Sequence, residues 1–128
     1  HHPLEIDSNI KAYKEEYKNK KACMIFQPHR FSRTAQLFDD FIKVLKETDS
    51  LILLDIYSAS EKPIKGINSR AIVETLKQSG HKDVTYLNNH SDVNELITQK
   101  KDSFDILVIQ GAGNISEVCE NIKDKWEI

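Results

Sequence analysis

The chain has 128 residues, with 18 Lys and Arg against 20 Asp and Glu and a formal net charge of −2 at neutral pH. This length predicts one domain with a core that needs no disulfide framework. The scattered, nearly balanced charges argue against a general nucleic-acid binder. Cys23 and Cys119 each lie in an apolar pattern, so we expect free, buried thiols. No apolar run approaches membrane-spanning length and no signal peptide is visible, so we expect a soluble, cytoplasmic protein without membrane contact.

Helical and extended hydrophobic patterns alternate along the chain. In chain order they predict a helix over 4–17, a strand over 22–26, a helix capped by Thr34, a strand over 51–54, a loop over 55–66, a helix from Asn68 or Ser69 to Gly80, a strand over 84–87, a helix capped by Ser91, a strand over 104–109, a turn over 111–113 and a last helix. This alternation predicts a doubly wound α/β fold with a mostly parallel sheet. In such sheets, ligands bind outside the carboxyl ends of the strands.

Three basic side chains follow the first predicted strand directly. His29, Arg30 and Arg33 lie in the segment Gln-Pro-His-Arg-Phe-Ser-Arg-Thr, which ends at Thr34. Charged groups are poor core material because desolvating them is costly. Two guanidiniums suit a carboxylate or phosphate, since an arginine can bind either group through two parallel hydrogen bonds. A solvated loop with incidental charges is the alternative, and the local sequence favours neither interpretation.

The other loops at this edge carry weaker signals. The turn from Gly111 through Gly113 and Asn114 resembles the start of a dinucleotide-binding fingerprint, but it lacks the third glycine and the later acidic residue. We therefore favour glycines that allow a tight turn. No Gly-Lys-Ser/Thr phosphate loop is present, so any ATP chemistry must come from elsewhere. Glu61, in the polar loop that starts at Tyr57, is more often solvated than bound to a ligand. No His and Cys spacing suits a metal, and no Ser–His–Asp arrangement is evident.

Several motifs occur together in one order. They are His-His-Pro at 1–3, Gln-Pro-His-Arg-Phe-Ser-Arg-Thr at 27–34, Asp-Asp-Phe at 39–41, Asp-Ile-Tyr at 55–57 with Glu61 and Pro-Ile at 63–64, Ser-Arg at 69–70, and Gln-Gly-Ala-Gly-Asn-Ile at 110–115. Together they resemble the C-terminal domain of the Mur ligases of peptidoglycan synthesis, in particular the UDP-N-acetylmuramate–L-alanine ligases. The resemblance covers essentially the whole chain. It implies a three-layer, Rossmann-like fold and makes 1–3 the end of a Tyr-Gly-His-His-Pro motif.

The resemblance also implies a function. The whole 1–128 chain would be the closing domain of a three-domain bacterial enzyme, whose N-terminal domain binds the UDP-sugar and whose central domain binds ATP and Mg²⁺. The partners would be L-alanine, UDP-N-acetylmuramate, ATP and the other two domains. His29, Arg30 and Arg33 would bind L-alanine, while His1 and His2 would lie near the nucleotide and the domain junction. Further loop contacts are expected from Tyr57, Glu61, Gly111, Gly113 and Asn114. No catalytic residue is assigned here, and the domain alone should be inactive.

Some positions depart from the family pattern. Ser58 replaces a proline that often follows the loop tyrosine, Ser60 replaces a glycine, and Ser116 lies where glycine is common. Two other functions remain open. One is the murein peptide ligase, which attaches a recovered peptide to the same sugar, although the Gln-Pro-His-Arg string favours free alanine. The other is a non-catalytic α/β module that binds a small acidic metabolite or a partner protein.

Overall fold

Helices and strands alternate in the computed structural model, which describes residues 2–111 together with 115, 117, 118 and 120. In chain order the elements are α1 (Pro3–Glu16), β1 (Ala22–Gln27), α2 (Phe31–Gln36), α3 (Phe38–Leu45), β2 (Ser50–Leu54), α4 (Ser69–Gln78), β3 (Val84–Leu87), a 3₁₀ turn (His90–Asp92), α5 (Val93–Lys100), a second 3₁₀ turn (Lys101–Ser103) and β4 (Ile106–Gly111). Among the described helices, none is long and apolar enough to cross a membrane.

The four described strands form one parallel sheet in the order β3-β2-β1-β4. In register, Met24 of β1 lies between Leu51 of β2 and Val108 of β4. The chain therefore adds β2 and β3 on one side of β1 and then adds β4 on the other side of β1. This reversal is the doubly wound topology predicted from the sequence, and all four strands present their carboxyl ends at one edge.

Two apolar clusters cover the two faces of the sheet. On one face, Met24 and Phe26 of β1 are buried under α1, α3 and α4, whereas Cys23 and Ile25 on the other face are buried with α5. Because both faces are covered, the strands are uninterrupted apolar runs rather than alternating ones. The result is the predicted three-layer fold. Cys23 is a free thiol, as expected, and burial raises its pKa; Cys119 lies outside the described residues.

Two of the predicted helix caps are wrong. α2 begins at Phe31, three positions before Thr34, and the Thr34 hydroxyl donates to the carbonyl of Arg30 at 2.8 Å. The Ser91 side chain does not start α5. Its N–H and hydroxyl both donate to Asn89 Oδ1, at 3.0 and 2.8 Å, so Asn89 begins a 3₁₀ turn before the helix. A short polar side chain of this kind competes locally with helical hydrogen bonds.

The remaining boundaries agree closely with the sequence pattern. Asn68 caps α4, since its Oδ1 accepts the N–H of Ala71 at 2.8 Å, and Gly80 follows the helix with φ +101°. β4 is displaced by two residues from its predicted position, because pairing with β1 runs from Ile106 to Gly111. Gly111 is thus the last residue of the strand rather than the start of a turn. The predicted turn residues Gly113 and Asn114 lie outside the described residues.

Candidate functional site

The chain segments that follow β1 and β2 form one further parallel β-bridge, between His29 and Tyr57. The Tyr57 N–H donates to the carbonyl of Pro28 at 2.9 Å, and its own carbonyl accepts the Arg30 N–H at 2.8 Å. The two rings stack with an angle of 11° between their planes and 5.6 Å between their centres. Main-chain and side-chain contacts together therefore fix the first two residues of the basic motif to the neighbouring loop.

A bulge precedes this bridge. The last paired residues of β1 and β2 are Phe26 and Leu53. His29 lies three residues after Phe26, whereas its bridge partner Tyr57 lies four residues after Leu53. The second strand therefore holds one extra residue. The amide of Gln27 spans the irregularity, since its Nε2 donates to the carbonyl of Asp55 at 3.4 Å. Bulges redirect side chains and are common beside functional sites, and this one lies where Asp55 leaves the sheet.

Arg30 has a backbone conformation that is rare outside glycine, with φ +74° and ψ 137°. Its N–H is bound to Tyr57, and its carbonyl accepts both the N–H of Thr34 at 3.2 Å and the Thr34 hydroxyl at 2.8 Å. Strained residues persist only where the surrounding contacts hold them, and they cluster at functional sites. The exposed guanidinium of Arg30 thus projects from a fixed point, one turn from the partly buried Arg33 on α2.

Glu61 caps α2 from the neighbouring loop. Its Oε1 accepts the Ser32 N–H at 3.0 Å and its Oε2 accepts the Ser32 hydroxyl, so the cap comes from Glu61 rather than from Arg30 at the N-cap position. The hydroxyl bond, followed by the N–H bond, lowers the pKa of Glu61. Glu61 therefore holds the helix that carries Arg33.

The turn that leads to Glu61 requires left-handed backbone. Ala59 and Ser60 have φ values of +50° and +71°, and the Glu61 N–H donates to the carbonyl of Ser58 at 3.0 Å. Glycine adopts these angles without steric cost, which explains physically why glycine would suit position 60. This chain keeps the turn with serine in place of glycine.

Replacing Glu61 with glutamine should weaken the fold at neutral pH but not in acid. Because the pKa of Glu61 is lower in the folded state, its stabilisation is present above the unfolded pKa and is lost as pH falls through the folded pKa. We expect the unfolding free energies of wild type and Glu61→Gln, measured in urea, to differ at pH 7 and to converge at low pH. The exposed Glu74, changed in the same way, is the control. A constant difference across this range would contradict the carboxylate cap.

His29 lies in a positive environment. Partial burial is the largest cause that lowers its pKa below 6.5, followed by the charges of Arg30 and Arg33, while Glu61 opposes them. The ring is therefore a neutral imidazole at pH 7, stacked on Tyr57. In the domain without a ligand, the two guanidiniums therefore supply the positive charge beside this ring.

An NMR titration of the ring signals should place the pKa of His29 below 6.5. Arg30→Gln and Arg33→Gln should each raise it, since each removes a repelling charge. As pH falls below about 6.5, the unfolded chain takes up this proton first, so His29 should lower stability in acid and have no effect above neutrality. A wild-type pKa at or above 6.5 would contradict the lowered pKa, and no rise in either variant would show that the arginines do not act on the ring.

A cavity of 390 Å³ opens beside the stacked pair at the carboxyl edge of the sheet. It is lined by Tyr57, Asp55, Gln27 and the amides Asn88 and Asn89. Its walls thus come from the ends of β1, β2 and β3. A polar cavity at this edge is where an open α/β sheet binds ligands.

His2 lies apart from this cavity, as the N-cap of α1. Its Nδ1 accepts the N–H of Leu4 at 3.1 Å. It lines a groove of 630 Å³ between α1 and α3, next to Leu4, which is 72% exposed. His1 lies outside the described residues. The geometry therefore brings together His29, Arg30, Arg33, Tyr57 and Glu61, but not His2.

The model of the family "Mur ligase, glutamate ligase domain" matches residues 1–113. The chain belongs to the Mur ligase family. A solved structure of similar fold is a domain assigned to a UDP-N-acetylmuramate:L-alanyl-γ-D-glutamyl-meso-diaminopimelate ligase from Haemophilus ducreyi. It aligns with a TM-score of 0.66 and 15% identity, over 95% of this chain and 81% of that one.

Mur ligases in general depend on ATP and Mg²⁺. Within the described part of this Mur ligase domain, His, Cys, Asp and Glu side chains form no cluster of three or more that could hold a metal ion. The sequence also contains no phosphate loop. The described residues of this domain therefore offer no carboxylate or imidazole cluster for a resident Mg²⁺.

Sequence reasoning missed two polar residues of the Mur ligase domain. Gln27 ends an apolar strand and is 2% exposed, yet its amide donates to the extra residue of the bulge. Asp55 directly follows the next strand and lines the cavity. Their positions at the ends of two apolar runs were a usable signal, because polar residues there meet at one edge of a parallel sheet. The bulge that brings them together had no local signature.

Proposed function

We propose that this chain is the C-terminal, closing domain of a UDP-N-acetylmuramate–L-alanine ligase that acts in the bacterial cytoplasm. The observation that carries the proposal is the pair Arg30 and Arg33, which follow β1 at the carboxyl edge of the sheet beside His29. Such a pair suits the carboxylate of a small amino acid. The Gln-Pro-His-Arg string that contains Arg30 favours free alanine over a peptide as the acceptor.

The reaction needs such a site because the acceptor must be oriented. In the full enzyme, ATP converts the carboxylate of UDP-N-acetylmuramate to an acyl phosphate. The amine of L-alanine then attacks the acyl carbon, a C–N bond forms through a tetrahedral intermediate, and phosphate leaves. Guanidiniums that hold the alanine carboxylate place the amine near the acyl carbon, so that the attack becomes effectively unimolecular. This domain therefore supplies positioning rather than phosphoryl chemistry.

The other requirements fall outside this domain. In the proposal, a central domain of the same chain holds ATP and Mg²⁺, and an N-terminal domain holds UDP-N-acetylmuramate. His1 and His2 lie near the nucleotide and the domain junction, and Gly113 and Asn114 contact bound substrate from their loop. Tyr57 orients His29 by stacking, and Glu61 acts on Arg33 through α2. The isolated domain has no activity of its own.

The test is product formation by the full-length gene product with UDP-N-acetylmuramate, ATP and Mg²⁺. Mass spectrometry follows the sugar nucleotide with either L-alanine or the tripeptide L-alanyl-γ-D-glutamyl-meso-diaminopimelate as acceptor. We expect a new amide with L-alanine and little or none with the tripeptide. Product with the tripeptide alone would reassign the chain to the recycling ligases. No product with either acceptor would remove the ligase function and leave the non-catalytic module.

A further inference from the structure

The cavity beside the basic residues carries the opposite charge. Asp55 provides a carboxylate to its wall, and the other polar walls are amides and a serine. The bulge at Asp55, spanned by the amide of Gln27, places this residue at the edge of the sheet instead of in the regular ladder. Two positions further along the same loop, Tyr57 stacks on His29. The site thus has a negative group, Asp55, two residues from the tyrosine whose ring stacks on the basic motif.

Tyr86 of β3 fixes the carboxylate of Asp55. The Tyr86 hydroxyl donates to Asp55 Oδ1, while the guanidinium of Arg70 lies 5.1 Å from the centre of the Tyr86 ring. Burial and the bond to Asp55 raise the pKa of the phenol, so it remains a neutral donor and Asp55 the acceptor. A carboxylate held through one oxygen keeps acceptor capacity on the other oxygen.

We propose that Asp55 binds the ammonium group of the incoming amino acid, while Arg30 and Arg33 bind its carboxylate. This inference rests on the proposed function and adds a binding partner for the second charged group of the amino acid. An α-amino acid is a zwitterion with both charged groups on one carbon, so a site with both signs selects it over a simple carboxylate. The amide side chains of Asn88 and Asn89 line the same cavity. They make it better suited to a charged amine than to an apolar side chain.

The test compares L-alanine with L-lactate, which carries a hydroxyl in place of the ammonium group. In the full-length enzyme, Asp55→Asn keeps the size of the side chain and an acceptor for Tyr86, but loses the negative charge. We expect the KM for L-alanine to rise by about tenfold to a hundredfold. The inhibition constant of L-lactate against L-alanine should stay within about twofold, because lactate has no ammonium group to lose. Asp102→Asn, the same change at an exposed position before β4, should alter neither value.

The possible results separate this inference from the proposed function. An unchanged KM for L-alanine in Asp55→Asn, with an active enzyme, would overturn the ammonium site and leave the ligase assignment intact. Equal weakening of L-alanine and L-lactate would also overturn it, since that pattern indicates general damage to the cavity. If only the tripeptide is a substrate, the assigned acceptor is wrong and this inference fails with it, because the carboxyl group of the tripeptide's alanine is in an amide bond. Turnover with neither acceptor would overturn both proposals.

Discussion

Replacing Arg30 with alanine in the full-length ligase should raise the KM for L-alanine by about thirtyfold or more. The expected loss is about 2–5 kcal/mol, because in the proposed closed enzyme the guanidinium and the bound carboxylate form a buried charge pair. The carboxylate of alanine keeps its charge throughout the reaction, so its binding is equally strong in the ground state and the transition state. Such a loss appears in KM rather than in kcat. Steady-state kinetics at saturating UDP-N-acetylmuramate and ATP measure both.

Arg30→Gly separates the role of the side chain from the backbone strain. Both variants lack the guanidinium, but glycine adopts the φ of +74° without the steric cost that alanine retains. We expect Arg30→Gly to be more stable than Arg30→Ala by roughly 1 kcal/mol, with the same increase in KM. A normal KM in either variant would remove Arg30 from the site. A KM restored by glycine alone would show that backbone geometry, not charge, is what matters.

Replacing Gly111 with alanine should destabilise the fold by roughly 2–4 kcal/mol, as the sum of backbone strain and steric overlap. A Cβ at this position would lie 2.7 Å from the carbonyl oxygen of Gln27 and 3.2 Å from its nitrogen, and φ is +144°. Those atoms belong to the adjacent strand, so relief requires a backbone shift where the end of β4 pairs with the end of β1. Urea unfolding of the 128-residue chain measures the loss.

Gly66 provides the matched control. Its φ is +83°, but an added Cβ would meet no described atom within 4 Å. Gly66→Ala should therefore show the strain alone, about 1 kcal/mol. The excess loss in Gly111→Ala over Gly66→Ala reports the contact with Gln27. Equal losses for the two variants would contradict a close approach between β4 and β1.

The layers of this fold could be predicted from the sequence because they depend on local signals. The apolar runs of β1 and β2 are uninterrupted, as required of strands covered on both faces. Asn68 is a strong helix cap, and it begins α4 as predicted. The doubly wound, parallel sheet was predicted from helix–strand alternation, but the order of its strands was not, although right-handed crossovers leave few arrangements.

The contacts that build the site were less predictable because they join distant parts of the chain. Thr34 looks like the start of a helix, yet α2 starts earlier because Glu61, 29 positions from Ser32, supplies the cap. The positive φ of Arg30 depends in the same way on its bond to Tyr57. The basic motif itself was evident, since charged residues stood out directly after an apolar strand. The partners that orient it were not.

The central claim is that the carboxyl edge of this sheet binds the carboxylate of the acceptor. The measurement that tests it most directly is a comparison of L-alanine with L-alaninamide, which lacks that carboxylate, as acceptors for the wild type and for the double variant Arg30→Ala, Arg33→Ala. The wild type should prefer L-alanine strongly in kcat/KM, and the double variant should lose most of this preference. The amines of L-alanine and L-alaninamide differ in basicity, but this difference is the same for both enzymes. It therefore cancels when their preferences are compared. If the double variant keeps the full preference for L-alanine, the carboxylate is bound elsewhere and the claim is wrong.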